Sequence, residues 1–184
     1  MKTKTVLLWA FVLFVLDQTV KIIIDQHFLD VRFDIIPPLL YFRPIFNHDY
    51  SWINGLFNLG MGYWVHIVIF CFSAVIVVIV YDLFKTISNN AKIINVAFIF
   101  AFAAVFSALI GTIIWGGCLD YIQLKPLVTF DLKDLYMNIF LILLFLYCFK
   151  NFKNRKSLKE MDKDISNHLK SRFTSLIGNL KSKM

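Results

Sequence analysis

The stretch TVLLWAFVLFVLDQTVKIII, Thr5 to Ile24, decides the fold. Crossing roughly 30 Å of hydrocarbon takes about 20 apolar residues in a helix, and this run has that length. Asp17, Gln18 and Lys21 stand near its far end, where a bilayer excludes charge unless the charge has a partner or a task.

Three further runs have the same character: Trp64 to Leu83, Ile93 to Trp115 and Val128 to Phe149. Across the 184 residues, 59% are hydrophobic and 17% charged, which oversupplies any soluble core of this length. The expected fold class is therefore an all-α integral membrane protein, a four-transmembrane-helix bundle. Residues 1–150 would form the spanning unit and 151–184 a separate tail.

Charge orients the bundle. Basic residues flank spans on the cytoplasmic side, and here they are Lys2, Lys4, Lys85, Lys92 and the tail, which holds ten of the 19 basic residues from Lys150 onward. Both termini should be cytoplasmic, with Asp25 to Tyr63 and the hairpin Gly116 to Leu127 facing outward. The start imitates a secretory signal but has no small-x-small cleavage site, so the first run reads as an uncleaved span. In the tail, Leu158, Met161, Ile165, Leu169, Phe173, Leu176 and Leu180 recur every three or four residues among lysines and arginines. That is a basic amphipathic helix suited to anionic lipid headgroups, and lipid rather than nucleic acid accounts for the net charge of +7.

The outward segment carries Pro37, Pro38 and Pro44 among many aromatic side chains. Prolines interrupt regular structure and aromatic rings favour the headgroup level, so a small outward-facing cap of short strands and an interfacial helical turn is expected. Ala104, Ala108 and Gly111 make a strip of small side chains on the third span, where another helix can approach closely. Cys71, Cys118 and Cys148 lack CxxC spacing, so no disulfide framework or metal site is implied.

Counting about 1.5 Å per residue from the cytoplasmic ends puts Asp17, Lys21 and Asp134 roughly 18, 24 and 22 Å up, in one slab toward the outer surface. Asp17 and Lys21, four residues apart, can pair along one helix face. Asp120 and Asp134 flank the outer hairpin and can meet from its two ends. Two adjacent carboxylates resist joint ionisation, so such a pair offers a base that activates water and an acid that polarises a carbonyl. Spacing alone also admits a plainer reading, with Asp120 in a solvated loop and Asp134 favoured at a helix start by the macrodipole. Asp131 is placed to cap the fourth helix, and Lys133 to snorkel toward headgroups.

These residues together resemble the lipoprotein signal peptidase (signal peptidase II) family. Asp17-Gln18-Thr19-Val20-Lys21 resembles its DQxxK motif, Asn47 followed by Ser51 its asparagine-led outer motif, Gly116 to Asp120 its GNxxD, and Phe130-Asp131-Leu132-Lys133-Asp134 its FNxAD. Gly117 and Asp131 stand where those motifs have asparagine, Lys133 where the last has alanine, and Tyr121 where arginine follows the third. The resemblance implies an aspartic endopeptidase of the bacterial cytoplasmic (inner) membrane, active at its outer face. It would cleave the signal peptide of diacylglyceryl-modified prolipoproteins without metal or organic cofactor. Asp120 and Asp134 would be the catalytic pair, and Asp17, Lys21, Asn47, Gly116 and Asp131 the substrate-binding and supporting residues. Its partners would be the prolipoprotein or lipidated peptide and membrane lipids. One alternative is a non-catalytic paralogue that binds lipidated or signal-bearing peptides. Another uses Cys118 as an acyl-transfer nucleophile, with His48 or His66 as its base.

Overall fold

Long apolar runs without internal breakers become helices, and the proline-broken segments between them become strands. In a computed structural model the order is α1 (Thr3–His27), β1 (Phe33–Ile36), β2 (Leu40–Asn47), α2 (Trp52–Phe57), α3 (Tyr63–Ile87), α4 (Ala91–Trp115), β3 (Cys118–Leu124), β4 (Val128–Phe130) and α5 (Leu132–Phe152). The structure describes residues 1–87, 91–125 and 127–152, together with Lys163, Ser166, Asn167, Lys170, Ser171 and Thr174. Those six tail residues are helical and exposed, at spacings that fit one polar helix face. The apolar tail positions of the amphipathic pattern lie outside the described residues.

Helices α1, α3, α4 and α5 are long and apolar enough to cross a membrane, so the chain is a four-span membrane protein. Helix α4 is the centre of the bundle, packed against the other three. Its buried Ala97, Ala101, Ala103, Ala104 and Ser107 let neighbouring backbones approach, while Ile94, Phe98 and Phe102 fill the space between. At Gly111 the strip faces α1: an added methyl group would lie 3.8 Å from Lys21 Nζ and 3.9 Å from Gln18 Nε2. Helix α1 turns Val6, Ala10, Asp17, Gln18, Lys21 and Ile24 inward and leaves Leu8, Trp9, Phe11 and Leu16 exposed to lipid. Helix α3 is the outermost span.

Lys85 Nζ at the end of α3 donates to Thr3 Oγ1 at the start of α1, 2.7 Å away, so the start of α1 and the end of α3 share one end of the bundle. The sheet occupies the other end. All its pairings are antiparallel, in the order β1-β2-β3-β4. The outer hairpin is thus no free loop. Gly116 to Leu127 begins with a turn at Gly116 (φ 60°), and its strand β3 lies in the middle of the cap's own sheet. The fourth span, expected from Val128, opens only at Leu132, because Val128–Phe130 are drawn into the sheet against Ile122–Leu124.

One irregularity in β2 matters for the site. Phe42 pairs with Ile122, but Ile45 pairs with Asp120, so β2 carries an extra residue at Arg43–Pro44. Proline cannot donate to the ladder, and bulges form at such points. Without the extra residue, strict alternation would turn Asn47 to the face opposite Asp120. With it, Asn47 pairs with Cys118 and shares the face of Asp120.

The rest of the cap hangs on Asn54, buried in α2. Its amide donates to the carbonyls of Asp49 (2.9 Å) and Met61 (3.0 Å), and its oxygen accepts from the Met61 N–H (3.0 Å). Asn54→Ala should therefore destabilise the cap by about 2 kcal/mol. The expected signs are faster proteolysis between β2 and α3 and a lower Tm in detergent, with the helical circular dichroism unchanged.

Candidate active site

Helix α5 begins with a reciprocal cap. Asp131 Oδ1 accepts from the Asp134 N–H at 3.3 Å, and Asp134 Oδ2 accepts from the Asp131 N–H at 3.2 Å. This is a capping box with aspartate in both places, and it fixes both carboxylates to the first turn of the helix. The expected capping role of Asp131 is what the structure shows, and the same side chain does a second job.

Asp131 Oδ2 sits between two ammonium groups, 2.7 Å from Lys21 Nζ and 2.9 Å from Lys133 Nζ. Lys21 also pairs with Asp17 Oδ2 at 2.9 Å, which in turn accepts from Gln18 Nε2 at 2.9 Å. On the other side, Lys133 reaches Asp120 Oδ1 at 3.2 Å and Asp134 Oδ2 at 3.5 Å. The result is a line of alternating charge, from Asp17 through Lys21, Asp131 and Lys133 to Asp120 and Asp134. Asp17, Lys21, Asp120, Asp131 and Lys133 are buried.

The snorkelling expected of Lys133 does not occur. Its ammonium is within bonding distance of three carboxylates at the sheet end of the bundle, and the long flexible stem turns inward to reach them. One oxygen from each of Asp120, Asp131 and Asp134 lies within 4.8 Å of the others, a spacing that would also suit a divalent cation. Lys133 Nζ bonds to all three of these groups and stands as their cation.

Asp120 comes from β3 and is steered by Asn47, whose Nδ2 donates to Oδ2 at 3.1 Å while its own Oδ1 accepts from the Asp49 N–H. Burial pushes the Asp120 carboxyl above its usual range, against the opposing pull of Lys133 and Asn47. Burial would raise Asp131 too, but Lys133 and Lys21 outweigh it and hold that carboxyl down at about 2. Two carboxylates a few ångströms apart thus live in opposite environments.

The structure brings Asp17, Lys21, Asn47, Asp120, Asp131 and Asp134 into one cluster. Gly116 makes the turn after α4, where its N–H bonds to the Thr112 carbonyl and an added Cβ would meet nothing within 4 Å. Gly117 matters more than expected: a Cβ there would lie 3.1 Å from His48 Nδ1 and 3.2 Å from the Asn47 carbonyl oxygen. Asparagine at this position would push back the segment that carries Asn47. Cys118 has the surroundings of a thiol rather than a thiolate: it is buried, it donates to the Tyr50 carbonyl at 3.4 Å and burial pushes it up, while His66, one of the two expected bases, is engaged with Ser51 and the Gly62 carbonyl. Lys133 is the residue whose place the sequence concealed. The available signal was that Asp131 and Lys133 depart from the motif together, one adding a negative charge and the other a positive one.

Four spans closed at one end by a sheet, with a buried carboxylate and ammonium cluster beneath it, define a multi-pass membrane protein with a buried polar centre. The family model described as signal peptidase (SPase) II matches residues 9–150, and the chain belongs to that family of membrane proteases that process lipoproteins. Two solved bacterial membrane enzymes, determined by the in meso method at 2.3 and 1.9 Å, share the fold. The first is 22% identical, with a TM-score of 0.66 and coverage of 84% of this chain and 93% of that one. The second is 21% identical, with a TM-score of 0.62 and coverage of 78% and 91%. No curated protein matches the chain.

Lys21 neutralises two buried carboxylates at once. Lys21→Met should cost about 3 to 5 kcal/mol by leaving Asp17 without its cation and Asp131 with only one, which urea titration in mixed micelles would measure. Asp131 gives a pH signature. A carboxyl held at about 2 contributes stability that is complete above the ordinary aspartate range and is lost as pH falls through that value. Between about pH 4 and pH 2 the native chain should lose about 2 kcal/mol that an Asp131→Asn variant does not lose.

Proposed function

We propose that this chain is a membrane-embedded aspartic endopeptidase that removes the signal peptide of diacylglyceryl-modified prolipoproteins, with Asp120 and Asp134 as its catalytic pair. The observation that carries the reading is convergence. A strand and a helix start, separated by 13 residues, deliver two carboxylates within 4.8 Å of each other at the sheet end of the bundle. The Asp134 side chain is partly exposed and can accept a proton from water, while the neighbouring donor polarises the scissile carbonyl. Asn47 orients Asp120, and Asp17, Lys21 and Asp131 support the pair.

Lys2, Lys4, Lys85 and Lys92, gathered at the end of the bundle away from the sheet, support cytoplasmic termini and with them a site at the outer face of the bacterial inner membrane. There a signal helix lies within the bilayer and its lipidated cysteine near the surface, at the level of the cluster. In this reading residues 1–150 are the protease and 151–184 a basic extension on the inner leaflet, bound to anionic lipid.

The second reading, a non-catalytic binder of lipidated or signal-bearing peptides, draws on Lys133, which bridges the pair where a shared proton would otherwise lie. Purified protein and a diacylated prolipoprotein peptide separate the two. The protease reading expects cleavage immediately before the lipidated cysteine. It also expects loss of about 1,000-fold or more in kcat for Asp120→Asn and for Asp134→Asn, with peptide binding kept. Binding by the native chain with no product would favour the second reading.

A further inference from the structure

Building on the protease reading, we infer that Lys133 joins the aspartate pair in catalysis: its ammonium, held between Asp120 and Asp134, is the donor that polarises the scissile carbonyl, Asp134 is the base, and Asp120 acts through Lys133 by holding the ammonium in place.

An ammonium has three N–H groups, and those of Lys133 go to Asp131 Oδ2 at 2.9 Å, Asp120 Oδ1 at 3.2 Å and Asp134 Oδ2 at 3.5 Å. The longest of these is also the accessible one. The Asp134 side chain is 43% exposed, against 4% for Asp120 and 0% for Asp131. An arriving carbonyl oxygen therefore meets the Lys133–Asp134 contact first. By taking over that one N–H it frees the Asp134 carboxylate at the moment a base is needed. The two remaining bonds keep the ammonium in place, and Lys21, behind Asp131, fixes that carboxylate in turn.

The bridging cation also eases the need for a shared proton. Two carboxylates this close resist joint ionisation because their charges repel, and an ammonium that bonds to both weakens that repulsion locally. Asp131 and Lys133 together leave the net charge of the cluster as asparagine and alanine would, so the pair exchanges a carboxylic acid donor for an ammonium donor. The groups facing Lys133 are Asp120 and Cys118 from β3, Asp131 at the cap of α5 and Asp134 in its first turn. Asp17 and Lys21 of α1 stand behind Asp131, and Asn47 of β2 behind Asp120.

The step balances without a further reactant. Water gives a proton to Asp134 as its oxygen bonds to the carbonyl carbon, and the carbonyl electron pair moves to an oxyanion held by the Lys133 N–H. The oxyanion re-forms the C=O as the C–N bond breaks, and Asp134 returns its proton to the leaving nitrogen. Lys133 keeps all its protons throughout. An ammonium remains a donor well above neutral pH, whereas a carboxylic acid donor fails once both carboxylates ionise.

The experiment uses the full-length chain in lipid nanodiscs and measures kcat and KM for a diacylated prolipoprotein peptide from about pH 4.5 to pH 9. It compares the native chain with Lys133→Arg and with Lys133→Ala/Asp131→Asn, a double variant that keeps the net charge of the cluster. The native rate should hold through about pH 8, while the double variant falls about 100-fold there and recovers toward acid pH with little change in KM. Lys133→Arg should retain the native pH profile. An unchanged or faster double variant, with the native pH profile, would overturn the role of Lys133 and leave the protease reading standing. A native chain that is inert while the double variant cleaves would show Lys133 to be a block, again overturning the inference alone. If neither chain cleaves although both bind the peptide, the protease reading fails and the inference falls with it.

Discussion

A single oxygen, Asp131 Oδ2, holds two ammonium groups within 2.9 Å of itself, and the rest of the site depends on that arrangement. A charge inside or beside a bilayer core costs several kcal/mol unless an opposite charge neutralises it in place. Asp131 neutralises Lys21 on one side and Lys133 on the other. Through them it connects the DQxxK face of α1 to Asp120 in the sheet and Asp134 in the first turn of α5. Its other oxygen caps α5, so the helix that crosses the membrane and the charges at its mouth are set by one residue.

Packing brings this about in stages. Small residues along α4 let α1 approach closely enough for Lys21 to lie against Gly111. The sheet then fixes the outer end: both faces of β3 are covered, with Leu119 and Tyr121 packed with Ile24 of α1 and Cys118 and Asp120 turned toward the cluster. An extra residue beside Pro44 puts Asn47 on the Asp120 face. The geometry of the aspartate pair thus rests on a bulge in one strand and a cap on one helix.

How much of this was legible in the sequence follows from the range of the forces involved. The spans follow from uninterrupted apolar runs, and the Asp17–Lys21 pair from helical spacing, both local properties. Motif order brought Asn47, Asp120 and Asp134 into one expected site. Strand register was not legible, because the Arg43–Pro44 bulge shows itself only when β2 meets β3. Val128–Phe130 read as membrane helix because strand and span are equally apolar there. Lys133 reads as a snorkelling residue because it stands at the mouth of a span, whereas a lysine goes where its charge is best matched, and that depends on carboxylates brought in by β3 and by the start of α5. Gly117 has a similar origin, since its value lies in the close approach of His48.

If this cluster hydrolyses the peptide bond before the lipidated cysteine rather than merely holding a peptide, water must enter the product. Mass spectrometry of a diacylated prolipoprotein peptide incubated with the native chain in ¹⁸O-labelled water reads this directly. The expected result is a released signal peptide carrying one ¹⁸O in its new carboxyl terminus and a product that begins at the lipidated cysteine. Bound but intact peptide, or a cut elsewhere in the peptide, would contradict it.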